Sequence, residues 1–277
     1  MGVSADGSVV VGGGNVPDGS PSATSIQAFR WTSGGGMIGL DQSNPVDDDL
    51  AFSGSEGSAT SADGSVIVGA GLRFGRVESF RWTSSEGMVA LVATGPAIAV
   101  SADGSVVVGG DDRAFRWTSD GGMVFLTHGV FSQAWDVSSD GSIVVGFATG
   151  LGAFRWTAES GMVGLGHAGV ASAVSADGAV IAGYRLSGGA GSPAFLWDTA
   201  NGARELDQVL MDLGLDLTGW SLTEVHGLSD DGLTLAGTGI NPDGNEEARV
   251  AVIPEPTSGA LLGLGLVGLV LLRCRRC

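Results

Sequence analysis

Aspartate is the polar side chain that recurs most regularly in this sequence. The residues are Asp6, Asp63, Asp103, Asp140, Asp177 and Asp231, each followed by glycine. A regular carboxylate could serve calcium, which takes six to eight oxygens, usually with several carboxylates from one loop. Each phrase here supplies one, so weakly bound calcium is the most a metal reading allows. The other reading is a hairpin turn, in which aspartate accepts local N–H bonds and glycine takes a left-handed backbone. The sequence favours the turn. A second set is cationic: Arg30, Arg81, Arg116 and Arg155, with Leu196 at the fifth position. It could form a ring of ligand-binding guanidinium groups, but an equivalent residue in every unit points to a repeated structural pairing with a turn or an aromatic edge. Trp31, Trp82, Trp117, Trp156 and Trp197 recur beside it and are expected as packing between units rather than as sugar platforms. Trp135 and Trp220 fall outside the phrase and are the better candidates for exposed contacts. The acids Asp47–Asp49, Asp111 and Asp112 read as solvated loop charge. His128, His167 and His226 stand apart, without ligand spacing and without a nucleophile motif nearby. The expectation is no catalytic residue, no cofactor and no metal, with carboxylate pairs brought together by the fold left open as an acid–base device.

The elements that carry these residues come from a repeat. VSADGSVVVG at Val3–Gly12 returns at Thr60–Gly69, Val100–Gly109, Val137–Gly146 and Val174–Gly183, and more loosely at Leu228–Gly237. Asp103, Asp140 and Asp177 are 37 residues apart, so the bare unit is 37 residues. A second phrase of the form AFRWT and a third of the form GMVxL follow each of the first five copies, the last third phrase being a degenerate NGAREL. SVVVG after Asp-Gly reads as a strand covered on both faces. Period two puts Phe and Trp of AFRWT on one face and Ala, Arg and Thr on the other. GMVxL makes a third strand, and the run before Asp-Gly, as in Pro96–Ser101 and Gln133–Ser138, makes a fourth. Four short antiparallel strands repeated about six times predict an all-β propeller over residues 1–252. A parallel β-helix has shorter rungs and no need of an Asp-Gly hairpin in each. Ala203–Leu213 has helical spacing and is expected as one short amphipathic helix. The first copy lacks the strand that should precede Asp6, and the last, with Glu247–Ile253 as its third strand, has no fourth.

The chain has 277 residues and a formal charge of −17, and all 13 of its basic residues are arginine. That balance excludes a phosphate-backbone partner, because nucleic-acid binding relies on clustered cations. The only cysteines, Cys274 and Cys277, exclude a disulfide scaffold in the body.

From residue 253 to 277 the composition changes. Pro254, Glu255 and Pro256 precede an uncharged run, Thr257–Leu272, which ends in Arg273, Arg275 and Arg276. As a helix the run spans ~24 Å against the ~30 Å hydrocarbon core of a bilayer. Its terminal place and basic end make it a single transmembrane anchor with the arginines in the cytoplasm. These three parts in this order resemble the PEP-CTERM sorting signal of Gram-negative envelope proteins. That resemblance implies recognition by an exosortase and removal of the tail near the PEP motif. The SADGSVVVG and AFRWT phrases resemble the HAF-repeat family of extracellular proteins, which implies no activity. Met1–Gly12 has neither a basic n-region nor an apolar h-region, so an export signal upstream of Met1 is expected.

The expected function is a non-enzymatic exported repeat protein. It is a single-pass membrane protein before processing, and then belongs to the envelope or extracellular matrix. Its surface offers contacts for glycan, protein or divalent cations. The alternatives are a secreted glycan-active enzyme with its site on the propeller axis, and a tethered receptor that keeps its tail.

Overall fold

The computed structural model describes residues 1–15, 26–40, 52, 54–186 and 193–253. The described strands form six antiparallel sheets in chain order, and each strand pairs with its sequence neighbours. The first sheet holds Gly2–Val3, Val9–Gly14, Gln27–Thr32 and Gly36–Gly39. The second holds Ser55–Thr60, Val66–Arg73, Arg76–Thr83 and Gly87–Thr94. The third holds Ala97–Val100, Val106–Gly109, Phe115–Thr118 and Gly122–Phe125. The fourth holds Ser132–Val137, Val144–Ala148, Gly152–Thr157 and Gly161–Gly164. The fifth holds Gly169–Val174, Val180–Arg185, Ala194–Asp198 and Gly202–Glu205. The sixth has three strands, Ser221–Leu228, Thr234–Ile240 and Glu246–Val252. The repeat phrases therefore fall on strands as expected. The strand before Asp6 is present, but only two residues long.

Strand alternation decides how the sheets stack. In the first sheet Val9, Val11 and Ala28 face the second, where Ile67, Phe80 and Trp82 meet them. The same pairing recurs between the second and third sheets, through Val66 and Val68 against Val107 and Phe115. Val106 and Val108 meet Val144 and Phe154 at the next seam. Ile143 and Val145 then meet Ile181 and Phe195. Phe80, Phe115, Phe154 and Phe195 are fully buried. Each withdraws a side chain from water at a gain on the order of 2–3 kcal/mol. The tryptophans are half-buried at the rims of these seams, except Trp31 at 38% exposure. The wedge is thus filled by phenylalanine first and tryptophan second.

The helix runs from Leu206 to Asp212, three residues later than its spacing predicts. Ala203 pairs with Trp197 across the outer strand of the fifth sheet, and this ladder holds residues 203–205 extended. Leu206, Val209 and Leu210 are buried against the seam of the fifth and sixth sheets, packing with Leu196, Leu222 and Leu235.

The inner strands surround one channel. A cavity of about 260 Å³ is lined by Val3, Thr60, Val100, Val137, Val174 and Leu228, one residue from each sheet, together with their neighbours. At its mouth a chain of backbone bonds passes from sheet to sheet. Ala5 N–H donates to the Ala62 carbonyl, Ala62 to Ala102, Ala102 to Ser139, Ser139 to Ala176, and Ala176 to Asp230, at 2.9–3.1 Å. Sheets in sequence order around a shared axis give a propeller-like arrangement. Among the described residues no bond joins Asp230 back to Ala5, and no apolar cluster joins the sixth sheet to the first.

Pro254, Glu255 and Pro256, the anchor 257–272 and Arg273, Arg275 and Arg276 lie outside the described residues. Among the described residues, no helix is long and apolar enough to cross a membrane.

Candidate functional site

The Asp-Gly aspartates are consumed by their turns. Asp63 Oδ1 accepts the Ser61 hydroxyl at 2.7 Å and the Ser65 N–H at 2.9 Å. The Ser61 oxygen in turn accepts the Val66 N–H at 3.0 Å. The same pair of acceptor bonds recurs at Asp6, Asp103, Asp140, Asp177 and Asp231. Bonds from Ser8 and Ser4 hold the Asp6 carboxyl down to about 2. Bonds from Ser61 and Ser65 do the same for Asp63, again to about 2. The following glycine supplies the turn's left-handed residue, with φ 70° at Gly64.

The arginines of the second phrase act across seams. Arg116 donates from Nε and Nη2 to the Gly141 carbonyl at 3.3 and 3.2 Å and lies 5.9 Å from the Trp156 ring centre. Arg30 reaches the Gly64 carbonyl at 3.5 Å. Arg81 sits 6.0 Å from the Trp117 ring and pairs with Glu86 at 2.9 Å. Arg155 departs from the pattern: among the described residues it makes none of these seam contacts, and its Nε, like that of Arg81, is buried without a partner. It lines a groove of about 600 Å³ with Arg116, Trp156 and Glu159. Arg116 thus latches its sheet to both the turn and the indole of the next, Arg30 reaches only the turn and Arg81 only the indole.

The channel carries the departures from the repeat. Four residues before each turn aspartate stand Gly2, Ala59, Ala99, Asp136, Ala173 and Gly227. One residue before it stand Ala5, Ala62, Ala102, Ser139, Ala176 and Asp230. Two small residues have thus become acids, and both line the cavity. Asp136 follows a bulge at Trp135 in its strand. Its Oδ1 accepts the Val137 N–H at 2.8 Å, and its Oδ2 accepts the Val174 N–H of the next sheet at 2.9 Å. Part of Asp136 faces the narrow channel, yet protein surrounds its carboxyl. Desolvation pushes that group up to about 6; the two N–H bonds oppose the shift, and the charge on exposed Asp230 adds to it. No arginine or histidine lines the channel among the described residues. The arrangement can hold one proton or attract a cation, and it places an acid able to change protonation near neutrality beside a second carboxylate.

Neither acid was singled out by motif reasoning. The signal that finds them is alignment of the copies on Asp-Gly, which exposes an acid where the repeat requires a small residue. The other sequence candidates are scattered. Trp220 has its face covered by Arg249 at 3.6 Å, and Trp135 is half-buried at the bulge with a buried indole N–H that has no partner among the described residues. Neither is the exposed contact its position suggests. His167 stacks on Phe195 at 4.3 Å, and burial, with the nearby Arg185, lowers its pKa. His226 pairs with Glu224 at 3.3 Å. Asp111 accepts a bond from Gln133, while Asp47–Asp49 lie outside the described residues.

Residues 252–276 match the PEP-CTERM protein-sorting motif. The chain carries that signal at its C-terminus, and the signal implies export to the envelope or beyond with an exosortase as processing partner. No curated protein matches the sequence. Among solved structures, TolB from Acinetobacter baumannii is similar at 15% identity and a TM-score of 0.47, over 72% of this chain and 51% of that one. The chain thus spans about half the length of that protein. A structure described as a TolB from Agrobacterium tumefaciens is similar at 17% identity and 0.47, over 91% and 89%. An oligogalacturonate lyase in complex with manganese is similar at 15% and 0.48, over 91% and 88%. The propeller-like arrangement rests on the six sheets themselves.

Proposed function

We propose that the chain is an exported, non-enzymatic repeat protein of the cell envelope or exopolysaccharide matrix. It is sorted and cleaved through its tail and acts in surface display or binding. The observation that carries this reading is the sorting motif at 252–276, which begins at the last residue of the final strand of the repeat body. The repeat phrases support a relationship to HAF-repeat proteins. The point of exit adds a geometry. Ile253 N–H donates to the Leu233 carbonyl beside the sixth Asp-Gly turn, so the last described residue lies on the face that carries those turns. Glycan, protein or divalent-cation contacts belong to the exposed surface of the repeat body. Mass spectrometry of the native protein tests the sorting step. A C-terminus close to Pro254–Pro256, shifted to an intact Cys277 when those three residues are replaced by alanine, supports the reading. An intact Cys277 in the mature native protein supports the tethered receptor instead.

A second reading, a glycan-active enzyme with its site on the axis, has one observation in its favour. Asp136 is held up to about 6 near Asp230, the environment in which a carboxylic acid serves as a general acid. Incubating the purified protein with a panel of polysaccharides separates the two. Turnover that Asp136→Asn abolishes would replace the first reading by the second.

A further inference from the structure

The groove on the fourth sheet holds about 600 Å³ between the Asp140–Gly141 turn and the hairpin that follows Trp156. It carries an arginine that the repeat leaves without its usual partners. In the second sheet the equivalent Arg81 is neutralised by Glu86, four residues after Trp82. Four residues after Trp156 stands Ser160, so Arg155 lacks that acid. In the first and third sheets Arg30 and Arg116 reach the carbonyl of the next turn glycine. For Arg155 the equivalent glycine is Gly178. Ile143 stands where the first, second, third and fifth sheets have valine, and its Cδ1 lies where a Cβ on Gly178 would stand. Among the described residues the Arg155 side chain makes no hydrogen bond, ion pair or ring contact, and its Nε is buried. The chain has 30 acids for its 13 arginines, so the free guanidinium does not reflect a shortage of carboxylates. Arg116 lines the same groove and spends Nε and Nη2 on the Gly141 carbonyl, which leaves Nη1 without a bond among the described residues.

The rest of the lining is mixed. It includes the half-buried indole of Trp156, the exposed hydroxyl of Ser142 and the exposed carboxylates of Asp140 and Glu159. A bare anion is repelled by the two carboxylates, and a cation by the two arginines. A sugar acid uses every group: its carboxylate meets the guanidiniums, its hydroxyls donate to the acids, and its C–H face packs on the indole. We propose that this groove binds uronate units of an acidic polysaccharide, with Arg155 and Arg116 pairing with the sugar carboxylate. The volume suits a short stretch of such a chain. The proposal deepens the glycan contact named above and rests on that reading for the presence of the polymer. Mass spectrometry of the C-terminus tests the sorting step without touching the groove, so the two fail separately.

The test is calorimetric titration of the full chain, in detergent, with a tetramer of galacturonate. Saturable binding is expected, weakening as salt is raised. The fully methyl-esterified tetramer, which differs only in lacking charge, should bind at least tenfold more weakly. Arg155→Leu, which takes the residue found at 196, should lose roughly tenfold or more in affinity, and Arg155→Lys should recover part of it. Arg76→Leu, at an exposed arginine of the second sheet away from the groove, should bind as wild type does. Circular dichroism of each variant checks that it is folded. No saturable binding of the tetramer overturns the proposal, as does equal binding of its methyl ester. Equal binding of tetraglutamate would replace the sugar with any acidic chain and overturns it too. Unchanged affinity in folded Arg155→Leu would leave a glycan-binding protein whose site lies elsewhere.

Discussion

Asp136 Oδ2 accepts the backbone N–H of Val174 at 2.9 Å, so one carboxylate ties the fourth sheet to the fifth across 38 residues of sequence at the wall of the axial channel. The bond is made by an acid whose charged form is disfavoured there, and the consequences run in a definite direction with pH.

Below pH ~4 Asp136 is protonated in the folded and unfolded chain alike and costs nothing. Between the ordinary value of 3.8 and the folded value of about 6 the unfolded chain releases its proton first, so folding loses stability as pH rises. The full loss, about 3 kcal/mol, is present above pH ~6. Asp136→Asn is expected to recover much of it at pH 7 and little at pH 4. Urea unfolding at the two pH values checks this, and equal effects at both would refute it.

The turn aspartates behave in the opposite sense. Asp63, held at about 2 by bonds from Ser61 and Ser65, stabilises the fold above its unfolded value, and that contribution fades as pH falls through the folded value. Carbon-detected NMR titration should find Asp63 still ionised at pH 3. Replacing Ser61 by alanine should move its midpoint upward.

The described surroundings of the turns predict unequal costs for one substitution at two equivalent glycines. Gly7 and Gly104 have φ of 71° and 74°, so alanine pays a left-handed penalty of about 1–2 kcal/mol at either. At Gly104 the added Cβ would also overlap Val66, while at Gly7 it enters open space among the described residues. Gly104→Ala should therefore be worse than Gly7→Ala by a further ~1–3 kcal/mol. Thermal or urea unfolding of the pair decides it, and matching losses would argue that Gly7 is as closely packed as Gly104.

Arg116 and Arg155 occupy the same place in adjacent sheets and should not respond alike. Arg116→Leu, the residue found at 196, removes two bonds to the Gly141 carbonyl and the cover over Trp156, at about 1–2 kcal/mol for a half-buried group. Arg155→Leu removes a side chain whose Nε is buried without a partner among the described residues, and should cost less than half as much. Trp156 fluorescence should change in the first variant more than in the second.

The strands were legible because the repeat carries their physics locally. An Asp-Gly turn, a two-sided β-branched run and an aromatic pair at period two each need only near neighbours. The helical spacing begins three residues before the helix because residues 203–205 fit both patterns and only the ladder within the fifth sheet chooses between them. The two-residue strand Gly2–Val3 is not legible in the sequence because pairing with Val10 and Val11, rather than length, makes it a strand.

The amino-acid order on its own determined the turn, the alternating faces and the terminal sorting signal, since each is a property of a short contiguous stretch. It held Asp136 and Asp230 in plain view as misfits in an aligned repeat, but could not say that both line one channel. That, and the five seams packed in series from the first sheet to the sixth, came from the packing of residues far apart in the chain. Burial, desolvation and pairing between distant surfaces exist only once the sheets have taken their places around the axis.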